Sequence, residues 1–550
     1  YITVKDPALR DLYRSRYGAC SGKYALVVPF MERFFELALP SDGDDVTRAG
    51  YVGLIVADSF MKREFGRKLI EEYIPRWDLT HVVSTSGAYI PGHGTPTAIL
   101  FGRNRRPQTD RVRAVMGIRG EPAAPEDPAK GLVWTAILAQ IDQPGSESAY
   151  ISVADVDRAS FHRHPWSIGG GGAAELKELL DDGCVTTLAA IADSIGVMAV
   201  SGEDDVYVAP LLFWRRQRVQ DEGVRPFGTG DVIRDWSIAT EEYCLFPHGL
   251  AGEYQAVTSA VEHFWAYRNT LRRGIYFGQT KEQRGMAWQE FAIVVKDKLR
   301  TPLSIAFAFV STHNHFVLDR GGRVFNRTAP VIKLAPGATE EDHIRLLGLL
   351  NSSTACFWMK QTFFDRGNGG IGGGIANEGW ERFFEHDGTK LGLLPVPRSL
   401  PRLGARCFAA AERWSQSTSE NLDKSYTKSP DIAYQTERTR ADYASQLQVM
   451  IALQEELDWD AYGAFGLLGD EPLATEEPPP IRLGERAFEI VMARKMEASQ
   501  FQTTWFERHG SSPTTTLPDD WPEDYRAVVE RRIALIESDR NIALIEQPEY

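Results

Sequence analysis

Hydrophobic and polar residues alternate along the first hundred positions in a way that predicts both helices and strands. Phe30 to Leu39 (FMERFFELAL) places apolar residues at helical spacing, and Arg63 to Tyr73 predicts a second amphipathic helix ended by Pro75. Tyr51 to Ala57 (YVGLIVA) is a short buried-strand run. His81-Val82-Val83 and Thr97 to Phe101 predict two more strands, the second preceded by the turn Pro91-Gly92-His93-Gly94-Thr95-Pro96. Residues 1–105 therefore predict α/β architecture, the back half of a doubly wound sheet.

The pattern then changes. Residues 106–150 are rich in Pro and Ala around Gly120 to Pro125 and predict a connector. Residues 151–400 mix short strands with many glycines and aromatics, predicting a mixed α+β region. Residues 401–475 turn helical and charged, with Leu447 to Leu457 (LQVMIALQEEL) clearly amphipathic. A linker, Glu476-Glu477-Pro478-Pro479-Pro480, separates this spacer from a helical region at 481–550, interrupted by a turn over Ser511 to Pro518.

Composition narrows the class. At 550 residues, 43% hydrophobic and 11% aromatic, the chain can bury several cores, which excludes a disordered protein. No apolar run approaches the roughly 18 residues a membrane span needs, and no membrane role is expected. Cys20, Cys184, Cys244, Cys356 and Cys407 are dispersed, without disulfide-framework or metal spacing, which suggests a reducing cytoplasm. The net charge of −14 means that any nucleic-acid surface must be a local basic patch.

Several motifs imitate known sites. Ser167 to Gly172 precedes a helical stretch like a phosphate-cradling loop, but it lacks the Lys-Ser/Thr of a P-loop. Gly367 to Gly374 is a second glycine-rich stretch that suits a loop. Asp155 with Glu175 and Lys177 imitates a nuclease triad, yet Glu175-Leu176-Lys177 lies in a helical pattern. His162-Arg163-His164 and His313-Asn314-His315 imitate metal ligands without a suitably spaced partner, so no metal is expected. Trp214-Arg215-Arg216-Gln217-Arg218 reads either as a backbone grip or as a charged helix face.

Tyr1 to Tyr17 (YITVKDPALRDLYRSRY), Ser59 to Lys68 (SFMKREFGRK), Pro91 to Pro96 and Ile118-Arg119-Gly120-Glu121-Pro122 resemble segments of the adenine-specific DNA methyltransferases of type 2 BREX phage-defence systems, the PglX family. So do His164 to Gly172 and Trp505 to Gly510, so the resemblance runs from end to end. Leu346 to Lys360, followed by Leu393 to Pro397, resembles the closing segment of recognition domains in fused restriction-modification enzymes.

The resemblance implies transfer of a methyl group from S-adenosylmethionine to the N6 amine of adenine in double-stranded DNA. It makes residues 1–105 the C-terminal half of a Rossmann-like class I methyltransferase domain. Tyr1 would be the tyrosine of the Asn-Pro-Pro-Tyr motif, stacking on the flipped base, and the cofactor site is expected upstream of it. A loop between two strands commonly completes the base pocket in this family, which points to Tyr89, with His93 or Thr95 lining it; a Gly/Pro-rich surface turn is the alternative. Residues 151–400 would read the target. Candidate DNA contacts are Arg272, Arg273, Gln279, Lys281, Gln283, Arg284, Arg323, Asn326, Arg327 and Lys333, whose guanidinium, amide and ammonium groups suit base edges and phosphates. Other defence-system proteins are further expected partners. Two alternatives stand: a non-catalytic DNA-recognition or scaffold subunit, and the methylase-specificity part of a fused restriction-modification enzyme.

Overall fold

The structure is a computed structural model that describes all residues except 1, 42–45, 93, 235, 250, 368–377, 426–431, 470–472 and 476, with backbone alone over much of 416–440. It is a mixed α/β protein of two compact units. One comprises residues 1–179, 357–385 and 549; the other comprises 180–356, 386–548 and 550.

The first unit opens with α1 (Pro7–Arg16) and α2 (Val27–Leu37). Asp6 caps α1 by accepting from the Ala8 amide at 2.8 Å. A five-stranded sheet follows, built from β1 (Tyr51–Ala57), β2 (Asp78–Ser84), β3 (Thr97–Arg103), β4 (Arg111–Gly117) and β5 (Ile151–Asp157) in the order β1-β3-β2-β4-β5. β3 is antiparallel to both β1 and β2, so those two strands run in the same direction. β4 is parallel to β2 and antiparallel to β5.

The sheet is covered on both faces because its residues alternate in direction. Val82, Leu100, Val112 and Ala114 join Met31 and Phe35 of α2 in one core, where Phe35 stacks on Trp77 at 4.1 Å. Val83, Val115, Ile151 and Val153 face Val133 and Ile137 of α3 (Leu132–Gln140) in another. Residues 106–150, read from composition as a connector, thus carry β4 and α3.

The helix expected over Arg63–Tyr73 is instead a run of short turns: a 3₁₀ turn at Glu64–Gly66, a π turn at Leu69–Tyr73 and a 3₁₀ turn at Ile74–Arg76. Gly66 packs so closely on the Phe60 carbonyl that a Cβ there would lie 1.8 Å from its oxygen, which fixes the break.

The second unit holds two four-stranded sheets. One pairs β6 (Ala192–Gly196) with three later strands. The other pairs β7 (Val208–Pro210), β8 (Val224–Gly228) and β9 (Glu242–Leu245) with one. The later strands are β12 (Ser304–Phe307), β13 (Phe316–Asp319), β14 (Val324–Phe325) and β15 (Val331–Leu334), and the orders are β13-β12-β15-β6 and β14-β8-β9-β7. Between them in sequence come α4 (Val261–Arg273), the hairpin β10 (Ile275–Tyr276) and β11 (Gln279–Thr280), and the short α5 (Lys296–Arg300).

α6 (Glu340–Leu350) lies within the region read as mixed α+β, and the C-terminal part is helical as expected: α7 (Gly404–Ser425), α8 (Ile432–Ala464), α9 (Ala487–Glu497), α10 (Glu523–Ser538) and α11 (Arg540–Ile545). The polar positions of the amphipathic α8 are not all solvated. Glu455, Glu456 and Asp458 are buried, and Arg486 donates to Glu455 at 2.7 Å and to Asp458 at 2.9 Å. Arg532, fully buried, donates to Glu456 at 2.5 Å and to the Leu473 carbonyl at 2.9 Å. Among the described residues, no helix is long and apolar enough to cross a membrane.

Candidate functional site

The loop between β2 and β3 holds Tyr89 and Thr95, both half-buried; Tyr1 and His93 lie outside the described residues. The loop is closed at its base. Thr85 Oγ1 and Thr97 Oγ1 share a hydrogen bond of 2.7 Å, and the Thr85 amide donates to the Thr97 carbonyl at 3.0 Å. The Asp58 amide, just past β1, donates to the Pro96 carbonyl at 3.1 Å.

A second clamp comes from the segment after β4. The Glu121 amide donates to the Gly87 carbonyl at 3.0 Å, and the buried Glu121 carboxylate accepts from the Val133 amide of α3 at 2.7 Å. Gly87 permits this approach, since a Cβ there would lie 2.9 Å from the Arg119 carbonyl oxygen. The Ile118 to Pro122 segment therefore holds the loop carrying Tyr89 to the sheet.

Next to this loop lies an apolar cleft of about 570 Å³ between α2 and β1, lined by Phe30, Phe34, Leu54, Ile55, Ile90 and Thr97 among others. Phe30 and Phe34 are 51% and 41% exposed, and Ile55 is 61% exposed, so a broad apolar face at the β1 edge is uncovered. Asp58, at the end of β1, is held up at about 6 by burial and by the Asp365 carboxylate, against the pull of Arg382 and Lys62.

The cleft does not fit S-adenosylmethionine. That cofactor presents a sulfonium, a ribose and an amino-acid group, each of which needs polar partners, whereas the lining offers hydrocarbon and the Thr97 hydroxyl. Among the described residues, no group of three or more His, Cys, Asp or Glu side chains is placed to hold a metal ion. One histidine of each pair is engaged in the fold: His164 Nε2 meets the Arg63 carbonyl at 3.1 Å, and His313 Nε2 meets that of Pro548 at 3.0 Å. The Ser167 to Gly172 loop packs on β4, where Gly170 donates to the Gly117 carbonyl at 2.9 Å. A Cβ on Gly170 would lie 2.7 Å from the Met116 carbonyl oxygen, so its backbone is committed to the sheet. Most of the Gly367 to Gly374 stretch lies outside the described residues.

The candidate DNA contacts fall into three groups, with Arg327 apart from them. Arg272, Arg273, Gln279 and Gln283 are exposed and Arg284 half-exposed, all at the end of α4 and around the β10–β11 hairpin. Arg323 and Lys333 line a separate cavity. Lys281 and Asn326 are interior: the Lys281 ammonium donates to the Tyr207 hydroxyl at 3.1 Å, and Asn326 Oδ1 accepts from the Thr328 amide at 2.8 Å. Arg327 is exposed. In the cluster after Trp214, the indole is buried and donates to the Tyr243 carbonyl, while Arg215 pairs with Asp221 at 3.2 Å.

The residue missed in the sequence is Phe277. It occupies the hairpin tip with φ +55, followed by Gly278 at φ +80, and is 81% exposed. Two consecutive left-handed residues make the tight turn that suits a two-residue hairpin. A phenylalanine there is held in a costly backbone conformation while its ring stays in water, a combination associated with function more than with folding. The detectable signal was Phe277-Gly278 between Ile-Tyr and Gln-Thr.

Over 568 aligned residues the sequence is 43% identical to the adenine-specific methyltransferase PglX of Streptomyces coelicolor, covering 100% of this chain and 46% of that protein. The likeness to PglX is end to end. It bears out the resemblance read from the sequence segments, and the chain spans about half the length of PglX. Residues 450–550, which contain the buried Glu455–Arg486 and Glu456–Arg532 pairs, match a family described as a domain of unknown function (DUF7008). Among solved structures, the type IIL restriction-modification enzyme MmeI in complex with DNA overlaps 85% of this chain and 53% of its own, at 12% identity and a TM-score of 0.47. The type IIG restriction endonuclease BpuSI overlaps 84% and 53%, at 11% identity and a TM-score of 0.29. Neither overlap is close enough to carry an argument.

Proposed function

We propose that this chain is the base-pocket and DNA-reading portion of an N6-adenine DNA methyltransferase of a bacterial phage-defence system. The 43% identity with PglX over the whole of this chain is the observation that carries the reading. On this view the first unit contributes the back half of a Rossmann-like sheet. The codirectional β1 and β2 with β3 inserted between them support that layout, as does the cover of helices on both faces. The uncovered edge of β1 and its apolar cleft suit further strands and helices of the same catalytic domain, which would hold S-adenosylmethionine.

The chemistry sets what this portion must do. The N6 lone pair of adenine is delocalised into the ring, so the base must leave the duplex, lie flat and have its amine polarised. Tyr1 stacks on the extruded base. Tyr89, with His93 and Thr95, forms a second wall on a loop fixed by the Thr85–Thr97 hydrogen bond and by the Glu121 clamp. A fixed loop matters because small misplacements at a reacting centre cost large factors in rate.

DNA is gripped by the end of α4 and the hairpin. Arg272, Arg273, Gln279, Gln283 and Arg284 supply cations and amides, with Phe277 as an apolar wedge between base steps. Lys281 and Asn326 are omitted because they are spent inside the fold. The acidic balance of the protein is compatible with this local patch, and the enzyme would act in the cytoplasm, where the chromosome is.

Reading the coding sequence immediately before the Tyr1 codon, then assaying Tyr1→Ala in the encoded protein, tests the catalytic half. An in-frame Asn-Pro-Pro and a slower methyl transfer are expected. Absence of that motif, or an unchanged rate, would contradict the role given to Tyr1.

A further inference from the structure

In the second unit, a cavity of about 220 Å³ opens between β13, the start of β14 and the segment following α5. Its walls carry Arg225, Lys298, Arg300, Arg323 and Lys333 with one carboxylate, Asp319, while Arg300 also pairs with Asp297 at 3.0 Å. In a chain of net charge −14, a small cavity with five cationic side chains is a strong local departure.

The carboxylate is already committed. Asp319, 1% exposed, accepts from Arg323 at 2.7 Å and from the Gly321 amide at 3.1 Å. Lys333, 2% exposed, donates to the Thr301 carbonyl at 2.6 Å and to that of Leu303 at 2.9 Å, which leaves one of its three protons without a named acceptor. Lys298 is 5% exposed, and its ammonium has no hydrogen-bond or ion-pair partner among the described residues. It lies 3.2 Å from where a Cβ on Gly196 would be, a position that as glycine leaves it room.

Buried charges in proteins are paired or bind ions, since an isolated one costs several kcal/mol by the Born argument. Here an unpaired ammonium sits beside a second one at the wall of an open cavity. Burial and the neighbouring Lys333 hold Lys298 down at about 8, and burial does the same to Lys333, so each would regain charge stability from an anion placed between them. His248, also in the wall, accepts from the Phe291 amide at 3.2 Å and is kept at about 4 by burial, so it stays neutral and does not compete for the anion.

The geometry points to an oxyanion site for a phosphoryl group, held chiefly by Lys298 and Lys333, with Arg225 and Arg323 also in its wall. The phosphoryl group belongs either to the duplex backbone or to a free phosphate ester. The site does not depend on methyl transfer or on the hairpin contacts proposed above, so failure of either leaves it testable.

The test is thermal unfolding of the full chain with inorganic phosphate against sodium chloride at equal ionic strength. It compares the parent, Lys298→Met and, as a control, Lys130→Met, whose lysine is exposed in the first unit. Phosphate should raise the parent's Tm saturably beyond chloride. Lys298→Met should weaken that response at least tenfold, and Lys130→Met should leave it intact. Without phosphate, Lys298→Met should unfold at the same or a higher temperature, because it removes an unpaired buried charge; a lowered value would assign Lys298 a structural role and overturn the site. An equal phosphate response in parent and Lys298→Met, or none beyond chloride, would also overturn it. Binding of a short duplex identifies the source. A backbone phosphate predicts weaker duplex binding by Lys298→Met and a salt slope smaller by about one. A free phosphate ester predicts unchanged duplex binding with the phosphate response still lost.

Discussion

The guanidinium carbon of Arg284 stands 5.4 Å from the centre of the Phe277 ring, while its Nη1 donates to the Ala292 carbonyl at 2.9 Å. The guanidinium is thus tied to the body of the unit through Nη1 while its plane lies near the hairpin-tip ring, a contact that cation–π attraction favours. Phe277→Ala is expected to weaken duplex binding by about 1–3 kcal/mol, the usual worth of an aromatic stacked on bases. Phe277→Gly should do the same and leave folding stability equal or higher, since glycine relieves the left-handed backbone. Fluorescence anisotropy with a labelled duplex and urea unfolding would separate the two effects. Unchanged anisotropy would remove Phe277 from the DNA surface.

The loop carrying Tyr89 rests on the buried Thr85–Thr97 pair. Thr85→Val leaves the Thr97 hydroxyl without its partner and should cost about 1–3 kcal/mol of stability. If the proposed methyl transfer holds, Tyr89→Ala should slow it without changing duplex affinity. Single-turnover rates with saturating duplex would check this; a lower affinity at an unchanged rate would place Tyr89 on the DNA surface and outside the base pocket.

Arg532 has no solvent contact and holds Glu456, which also accepts from the Tyr525 hydroxyl at 2.8 Å. Arg532→Ala leaves that carboxylate buried without its cation and should destabilise the C-terminal helical region by about 3–5 kcal/mol. Urea unfolding followed by tryptophan fluorescence should show it, as Trp459 packs 5.2 Å from the Arg532 guanidinium. A loss within a few tenths of a kcal/mol would contradict the pairing.

Glu546 gives a pH signature. Burial, and then the Glu455 carboxylate, raise it to about 8, and it shares a 2.5 Å hydrogen bond with Tyr462. Its folded value is above its unfolded one, so the folded state holds the proton more tightly. Its contribution to stability is complete below the unfolded carboxyl value of about 4.3 and is lost as pH rises through about 8. Glu546→Gln should flatten the fall in Tm between those limits. An identical pH dependence in parent and variant would rule Glu546 out as its source.

Much of the fold was legible because its signals are local. The YVGLIVA run is β1 from Tyr51 to Ala57, and the expected strands at His81–Val83 and Thr97–Phe101 fall within β2 and β3. The break at Gly66 was not legible, because it depends on contact with the Phe60 backbone. β4 was hidden by composition, since its burial comes from pairing with β2 and β5 and the nearby Pro-Ala tract dominates the window. Residue type suggested Lys281, Asn326 and Lys333 as surface contacts, yet burial is a tertiary property: Lys281 and Asn326 are spent inside, and Lys333 is buried at the wall of a cavity. Phe277 was missed for the opposite reason: nothing in a lone aromatic before glycine tells that its ring remains in solvent.

The most direct test is to incubate duplex DNA and S-adenosylmethionine with the full gene product carrying this chain, then measure N6-methyladenine in the recovered DNA by mass spectrometry. N6-methyladenine confined to one recurrent sequence, and reduced by Tyr89→Ala or Phe277→Ala in a folded protein, is the predicted result. A duplex that is bound with sequence preference but carries no methylated adenine would contradict the account and leave a DNA-recognition protein without methyl transfer.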